Sequence, residues 1–275
     1  MKPKSGLMKS TLGLALILGA GVAGCKSAGD IPTARPVGIF NISAASDNQG
    51  GWVMAPTAVF YQGALPNINS AGSPDTCLDT LINLGLPENP GPAQYTNQLD
   101  AGSPISINTS LGTQDIMTPD TIPGLISYKI PNAGVVAYVP GGQVSFAIPG
   151  VTNGFPSATF VVTTSAPLTL EEIPPNPTTE FDVTWNAGDA NSAVVLHMLY
   201  AKGDTATDFN REIFCAVPDN GDKTVNLKLA RLWAASNNNL HLVKGYRWKT
   251  TFLNTTDNGI LLGIAQFNFQ KTIFP

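Results

Sequence analysis

The chain has 275 residues, of which 15 are Lys or Arg and 19 are Asp or Glu, for a formal charge of −4. That balance, with no Lys/Arg cluster along the body, excludes a nucleic-acid binder, which needs a basic face to neutralise phosphates. Only 12 % of the residues are charged while 27 glycines and 22 prolines punctuate the sequence, a composition that suits many turns between strands and not a bundle of charged amphipathic helices.

Lys2, Lys4 and Lys9 flank the start of an apolar stretch from Leu12 to Val22, the charged and apolar regions of a signal peptide. The stretch falls well short of the roughly 20 residues a membrane-spanning helix requires. Val22-Ala23-Gly24-Cys25 then resembles the bacterial lipobox, in which small residues fit the processing peptidase and the cysteine sulfur accepts diacylglycerol. The resemblance implies cleavage after residue 24 and a lipid-bearing Cys25. Its acyl chains, palmitate among them, would hold the protein on the membrane, at about 0.8 kcal/mol per buried methylene. The alternative is a secreted protein with a cysteine that happens to lie near its cleavage site. Lys26 stands where an inner-membrane retention signal carries aspartate, so the expected address is the cell envelope, at the outer membrane, facing the periplasm or the cell surface. Loss of residues 1–24 takes the 15 basic side chains to 12 against 19 acidic, leaving an acidic body of charge −7.

Residues 25–36 lack an apolar pattern and read as a flexible tether. From 37 to 165 short strands are separated by long Gly/Pro/Asn/Ser stretches, notably Asn67 to Pro74 and Leu86 to Pro92. This segment is expected to be a β-sandwich or jelly-roll-like domain, with Trp52 in a loop after Gly50-Gly51. Apolar residues then recur at every second position, as strand side chains alternate between faces. Val144, Phe146 and Ile148 form one such set and Ala158, Phe160 and Val162 the next, each bounded by turn residues.

A second domain is expected over 166–275, an Ig- or fibronectin-type sandwich with one short helix. Its strands include Phe181-Val183-Trp185 and Ala265-Phe267-Phe269. The run from Val194 to Tyr200 is apolar in both phases and predicts a covered, central strand. Leu229, Leu232 and Trp233 fall at helical spacing and predict a helix over 226–235 that caps one end of the sandwich. The fold class expected is therefore all-β: two β-sandwich domains behind a lipoprotein signal peptide.

Phe181-Asp-Val-Thr-Trp-Asn186, the apolar strand after it, Ile213-Phe-Cys-Ala-Val-Pro-Asp-Asn-Gly221, the helix-like Leu227 to Ala235 and the preceding Ala166 to Leu170 together resemble a group of uncharacterised bacterial outer-membrane or cell-surface lipoproteins with a C-terminal Ig-like β-sandwich domain. The resemblance spans about 100 residues and implies an Ig-like fold without an assigned activity. Pro218, just before the Asp-Asn-Gly turn, departs from that pattern and leaves the local strand register open.

With Cys25 consumed by lipid, Cys77 and Cys215 remain in an oxidising compartment. Two readings stand: a disulfide joining the two domains, or a buried thiol at Cys215 with Cys77 isolated in a loop. His197 and His241 lie in apolar strand-like runs and are expected to pack in the core or on a sheet face. Glu171 and Glu172 are adjacent, so on a strand they point apart and cannot flank a glycosidic bond. Asp219-Asn-Gly-Asp222 spaces oxygen ligands as a weak calcium candidate at Asp219 and Asp222, but Asn-Gly is also a hairpin signal, and a turn is expected. Trp185 and Trp248 are expected in the sandwich core and Trp233 in the capping helix. That leaves Trp52 as the candidate ligand-binding platform, with core packing as the alternative.

These residues point to no catalytic group, metal or cofactor. The function expected is an envelope-anchored lipoprotein acting as a non-catalytic binding or adhesion module for a glycan or protein ligand. A structural or assembly component of the envelope, docked on a permanent protein partner, is the alternative.

Overall fold

In the computed structural model of the protein, the described residues are 35–46, 51–65, 75–82, 97–112, 114–122, 125–188, 192–203, 208–236 and 241–273. The expected signal peptide, Cys25, the tether as far as residue 34 and the stretches 67–74 and 86–92 lie outside them. The strands are β1 (Arg35–Ser46), β2 (Trp52–Met54), β3 (Thr57–Gly63), β4 (Thr76–Leu81), β5 (Ile105–Thr109), β6 (Gln114–Ile122), β7 (Leu125–Lys129), β8 (Val136–Ala137), β9 (Gln143–Ile148) and β10 (Ala158–Thr163). After residue 165 come β11 (Phe181–Thr184), β12 (Ser192–Tyr200), β13 (Arg211–Pro218), β14 (Asp222–Val225), the helix α1 (Leu227–Ala234), β15 (His241–Asn254) and β16 (Ile260–Ile273). The protein is mostly β.

Strand β1 is apolar in both phases: Val37 and Ile39 are buried on one side, Phe40, Ile42 and Ala44 on the other. Such a strand belongs inside a sheet covered on both faces. It pairs antiparallel with β3 and parallel with β16, in a register running from Val37 opposite Ile260 to Ala44 opposite Phe267. A ladder in the order β10-β9-β5-β6-β7-β3-β1-β16-β15-β12-β13-β4 follows. The expected division at 165/166 runs through this ladder. Strands from both sides of that boundary share this ladder, one core cluster draws on both, and Ala34–Pro275 is one compact unit. The physical reason is that β1 and β16 each bury two faces, which a separate sandwich could not provide at its rim.

Strand β6 turns a corner in the ladder. Its first half, to Met117, pairs with β5, and Thr118 to Ile122 pair with β7. The β5, β9 and β10 end can then face β1 and β16. Phe40 lies with its ring centroid 4.5 Å from that of Phe146 and 5.5 Å from that of Phe160. A Cβ on Gly263 of β16 would stand 2.5 Å from Val162, so glycine there lets the two layers close.

The predicted central strand is β12, flanked by β15 and β13 and buried along nearly its whole length. Its inner face is covered by the β11–β14 pair, the segment Leu168 to Ile173 and α1, all in the same core cluster. The helix lies where the sequence placed it, capped by the Asn226 side chain, which accepts from the Leu229 N–H at 3.1 Å. Trp233 is fully buried, its indole N–H donating to the Pro174 carbonyl at 2.9 Å.

Candidate functional site

Asp219 and Asp222 do not converge on a cation. The Asp219 side chain is buried against Arg247, whose Nε lies 2.6 Å from Oδ2. The Arg247 Nη2 also donates to Oδ1 at 3.0 Å, the Trp185 indole N–H donates to Oδ1 at 2.8 Å and the Ser192 hydroxyl donates to Oδ2 at 2.5 Å. Asp222 stands exposed at the start of β14. The calcium candidate is corrected: both Asp219 oxygens are taken by a buried cation and two neutral donors. The hairpin signal is corrected too, because β13 pairs with β12 and β4 while β14 pairs with β11. The Asn220-Gly221 turn, with Gly221 at φ +104°, carries the chain from one layer to the other as Asp219 dives inward. Pro218 sits within an unbroken register, opposite Ala193.

Cys77 and Cys215 are direct cross-strand partners on β4 and β13 and form a disulfide. Cys77 is thus in a strand and not in a loop. Two polar clamps flank the bond. Lys223 donates to the Asp75 carboxylate at 2.8 Å, and Arg211 pairs with Asp79, which also accepts from the Tyr200 hydroxyl at 2.6 Å. Partial burial works to raise the Asp79 pKa, but the hydrogen bonds from Arg211 and Tyr200 and the Arg211 charge outweigh it and hold the carboxyl below its ordinary value. The Tyr200 hydroxyl, desolvated and bonded to that carboxylate, is pushed up to about 12.

Trp52 begins β2 and does not stand on a loop. Its ring meets Phe267 edge-on at 4.4 Å and packs partly buried against the main core. Of the two readings of Trp52 the structure shows core packing, because pairing of β2 with β1 and β8 lays the ring over the sheet interior.

Trp185 is in the main core as expected, and Trp248 packs partly buried against a second core cluster. It alternates with Arg247, so it lies on the opposite, outer face of β15, half-buried beside a second cluster formed by Val37, Ile39, Tyr61, Leu262 and Ile264. The pairing registers place a set of rings on that outer face. Phe214 on β13 is opposite Leu78 on β4 and His197 on β12, His197 is opposite Lys244 on β15, and Tyr246 and Trp248 follow on the same phase of β15. The His197 ring is 5.2 Å from Phe214 and 6.2 Å from Tyr246, and Tyr246 is 6.2 Å from Trp248. All four are half-buried, Lys244 is exposed and Leu78 is 59 % exposed.

Within this stripe, His197 Nδ1 lies 2.9 Å from Glu212 Oε2. Glu212 is 3 % exposed, set between Thr80 and Leu199 on the neighbouring strands. The contact of Nδ1 with Glu212 leaves Nε2 as the ring's other hydrogen-bonding atom. No protein partner meets Nε2 among the described residues, and the side chain keeps 17 % of its surface in solvent. Two buried polar atoms of the same face, Glu212 Oε1 and Trp248 Nε1, lack a hydrogen-bond partner.

Neither a protein-family model nor a curated protein matches this chain.

His241 is buried in the core as expected, its Nε2 2.8 Å from the Trp233 carbonyl and its ring stacked on that indole at 4.1 Å. Glu171 and Glu172 are both exposed. Among the described residues no group of three His, Cys, Asp or Glu side chains is placed to hold a metal ion. The outer face combines half-buried rings with the exposed Lys244 and the His197 imidazole. Sequence reasoning passed over Phe214, Tyr246 and Glu212. The signal available was the second phase of β12, where His197 interrupts an otherwise apolar set.

Proposed function

We propose that the protein is an envelope-anchored bacterial lipoprotein that works as a non-catalytic binding or adhesion module, its ligand, a glycan or a protein, meeting the outer face of β13, β12 and β15. The observation that carries this reading is the half-buried ring stripe Phe214, His197, Tyr246 and Trp248 on one sheet face. Binding sites combine apolar and aromatic surface with a few convergent polar groups, and this face has both. Export is supported by the Val22 to Cys25 motif and by the Cys77–Cys215 disulfide, a bond that persists in oxidising compartments. An Ig-like reading of the C-terminal half is supported by the order β13-β12-β15-β16 with β11–β14 against its inner face, and by the bridge from Leu170 to Trp185 that extends that pair. It agrees with the lipoprotein resemblance of residues 166–235.

Two measurements test the reading. Radiolabelled palmitate should enter the chain and be lost in Cys25→Ser, with the protein shifting out of the membrane fraction. The mature chain in lipid nanodiscs should bind members of a glycan array or a panel of envelope proteins. Phe214→Ala and Tyr246→Ala should weaken that binding while Trp52→Ala leaves it intact. Equal binding by all three variants refutes the assignment of the face.

One observation favours the second reading, a structural or assembly component. Among the described residues β4 pairs on one side only, and Leu78 and Leu81 on it are 59 % and 66 % exposed. An apolar edge strand without lysine or proline to blunt it is a ready template for another chain. Stoichiometric recovery of one protein from native membranes, abolished by proline at Leu78, would favour that reading.

A further inference from the structure

We propose that the ligand of the outer face is a neutral saccharide, with the Nε2 atom of His197 as the polar anchor and Phe214, Tyr246 and Trp248 as the surfaces for its C–H face. The inference rests on the binding-module reading and names the ligand class.

Three features of the face select this class. First, its apolar surface is divided. Between the rings lie His197 Nε2, on a side chain that keeps 17 % of its surface in solvent, and the exposed Lys244. A purely apolar partner would leave those groups unpaired, at a cost comparable to losing a hydrogen bond for each. A pyranose ring presents C–H groups on its faces and hydroxyls around its rim, so it covers the rings and pairs the polar atoms at once.

Second, the imidazole is held in one orientation. A buried carboxylate beside a histidine is expensive to desolvate unless it is paired, and Glu212 spends one oxygen on Nδ1. The other ring nitrogen is left for a hydroxyl, which can donate to it or accept from it, and the ring is bounded by Phe214 and Tyr246. Preorganisation of this kind reduces the entropic cost of a small-ligand contact.

Third, the charge balance gives an anion no foothold. Lys244 is the only lysine or arginine among the described outer-face positions of β4, β13, β12 and β15, and Glu212 offsets it. Those described positions also hold a single carboxylate, whereas most glycoside hydrolysis uses a pair flanking the bond, so the geometry suits retention of the sugar and not its cleavage.

The test is calorimetric titration of the mature chain in lipid nanodiscs with cellotetraose, chitotetraose, xylotetraose and mannotetraose. At least one should bind. His197→Ala and Tyr246→Ala should each weaken that affinity roughly tenfold or more, and Glu212→Gln should weaken it less while the thermal midpoint stays measurable. Trp52→Ala, off this face, should leave affinity unchanged. If none of the four binds at about 10 mM, or if the sugar that binds does so equally well to the His197 and Tyr246 variants, the inference is overturned. A photo-crosslinker at Tyr246 separates the two levels. Crosslinking to one envelope protein with no sugar binding removes the saccharide and keeps the binding module. No crosslink and no sugar binding removes both.

Discussion

Arg247 and Asp219 form a buried ion pair in which neither side chain keeps more than 1 % of its surface in solvent. The arginine also donates to the carbonyls of Pro167 and Asn186, so one guanidinium ties β15 to the segment before β11 and to the turn after it. Removing one partner of a buried pair strands the other charge, at a cost of about 3–5 kcal/mol. Arg247→Met and Asp219→Leu should each lower the urea midpoint accordingly. The double variant should lie closer to the parent than either single one, because no lone charge is left buried.

Gly188 should be intolerant of any side chain. A Cβ there would stand 1.8 Å from Asp219 Oδ2, and the Gly188 N–H donates to Oδ1 at 3.2 Å. Gly188→Ala must push the carboxylate off Arg247, and a loss of about 1–3 kcal/mol is expected from overpacking. In an Asp219→Ala background the same change should cost much less, a coupling that a double-mutant cycle in denaturant will measure.

The disulfide closes a chain separation of 138 residues. On the chain-entropy model a loop of that size contributes about 4–5 kcal/mol. Reduction, or Cys215→Ala, should lower the melting temperature by several degrees. Amide hydrogen exchange should locate the first opening at β4, an edge strand that pairs only with β13 among the described residues.

Acid should loosen the same edge. The Asp79 carboxyl is held below its ordinary value of 3.8 in the folded state, so the unfolded chain takes up the proton first as pH falls. The stabilisation is complete above the unfolded value and is lost as pH drops through the lowered folded one. Urea midpoints measured between about pH 2 and pH 5 should fall less steeply in Asp79→Asn than in the parent. Arg211→Gln should move the acid limb towards higher pH, because the group that depresses the carboxyl is gone.

Much of this protein was legible from local pattern. Alternation of apolar residues located β9, β10, β11 and β16, the two-phase run at Val194 to Tyr200 marked β12 as central, and the stripe Leu229-Leu232-Trp233 behind Asn226 defined α1 to within a residue at each end. These signals are local because a strand's alternation or a helix's cap is written within a few residues of itself. The ring stripe was not legible, since Phe214, His197 and Tyr246 come from three strands, and which face of each strand looks outward depends on register.

The sequence by itself determined the β class, the helix α1 and the motif from which an envelope address is proposed, since each depends on residues adjacent in the chain. Only the tertiary structure decided that β1 pairs with β16, that Cys77 meets Cys215, and that Asp219 turns inward to Arg247 when a calcium loop or a hairpin was the local reading. Pairing between distant strands is chosen by the burial of both partners together, and no strand carries the identity of its neighbour in its own alternation.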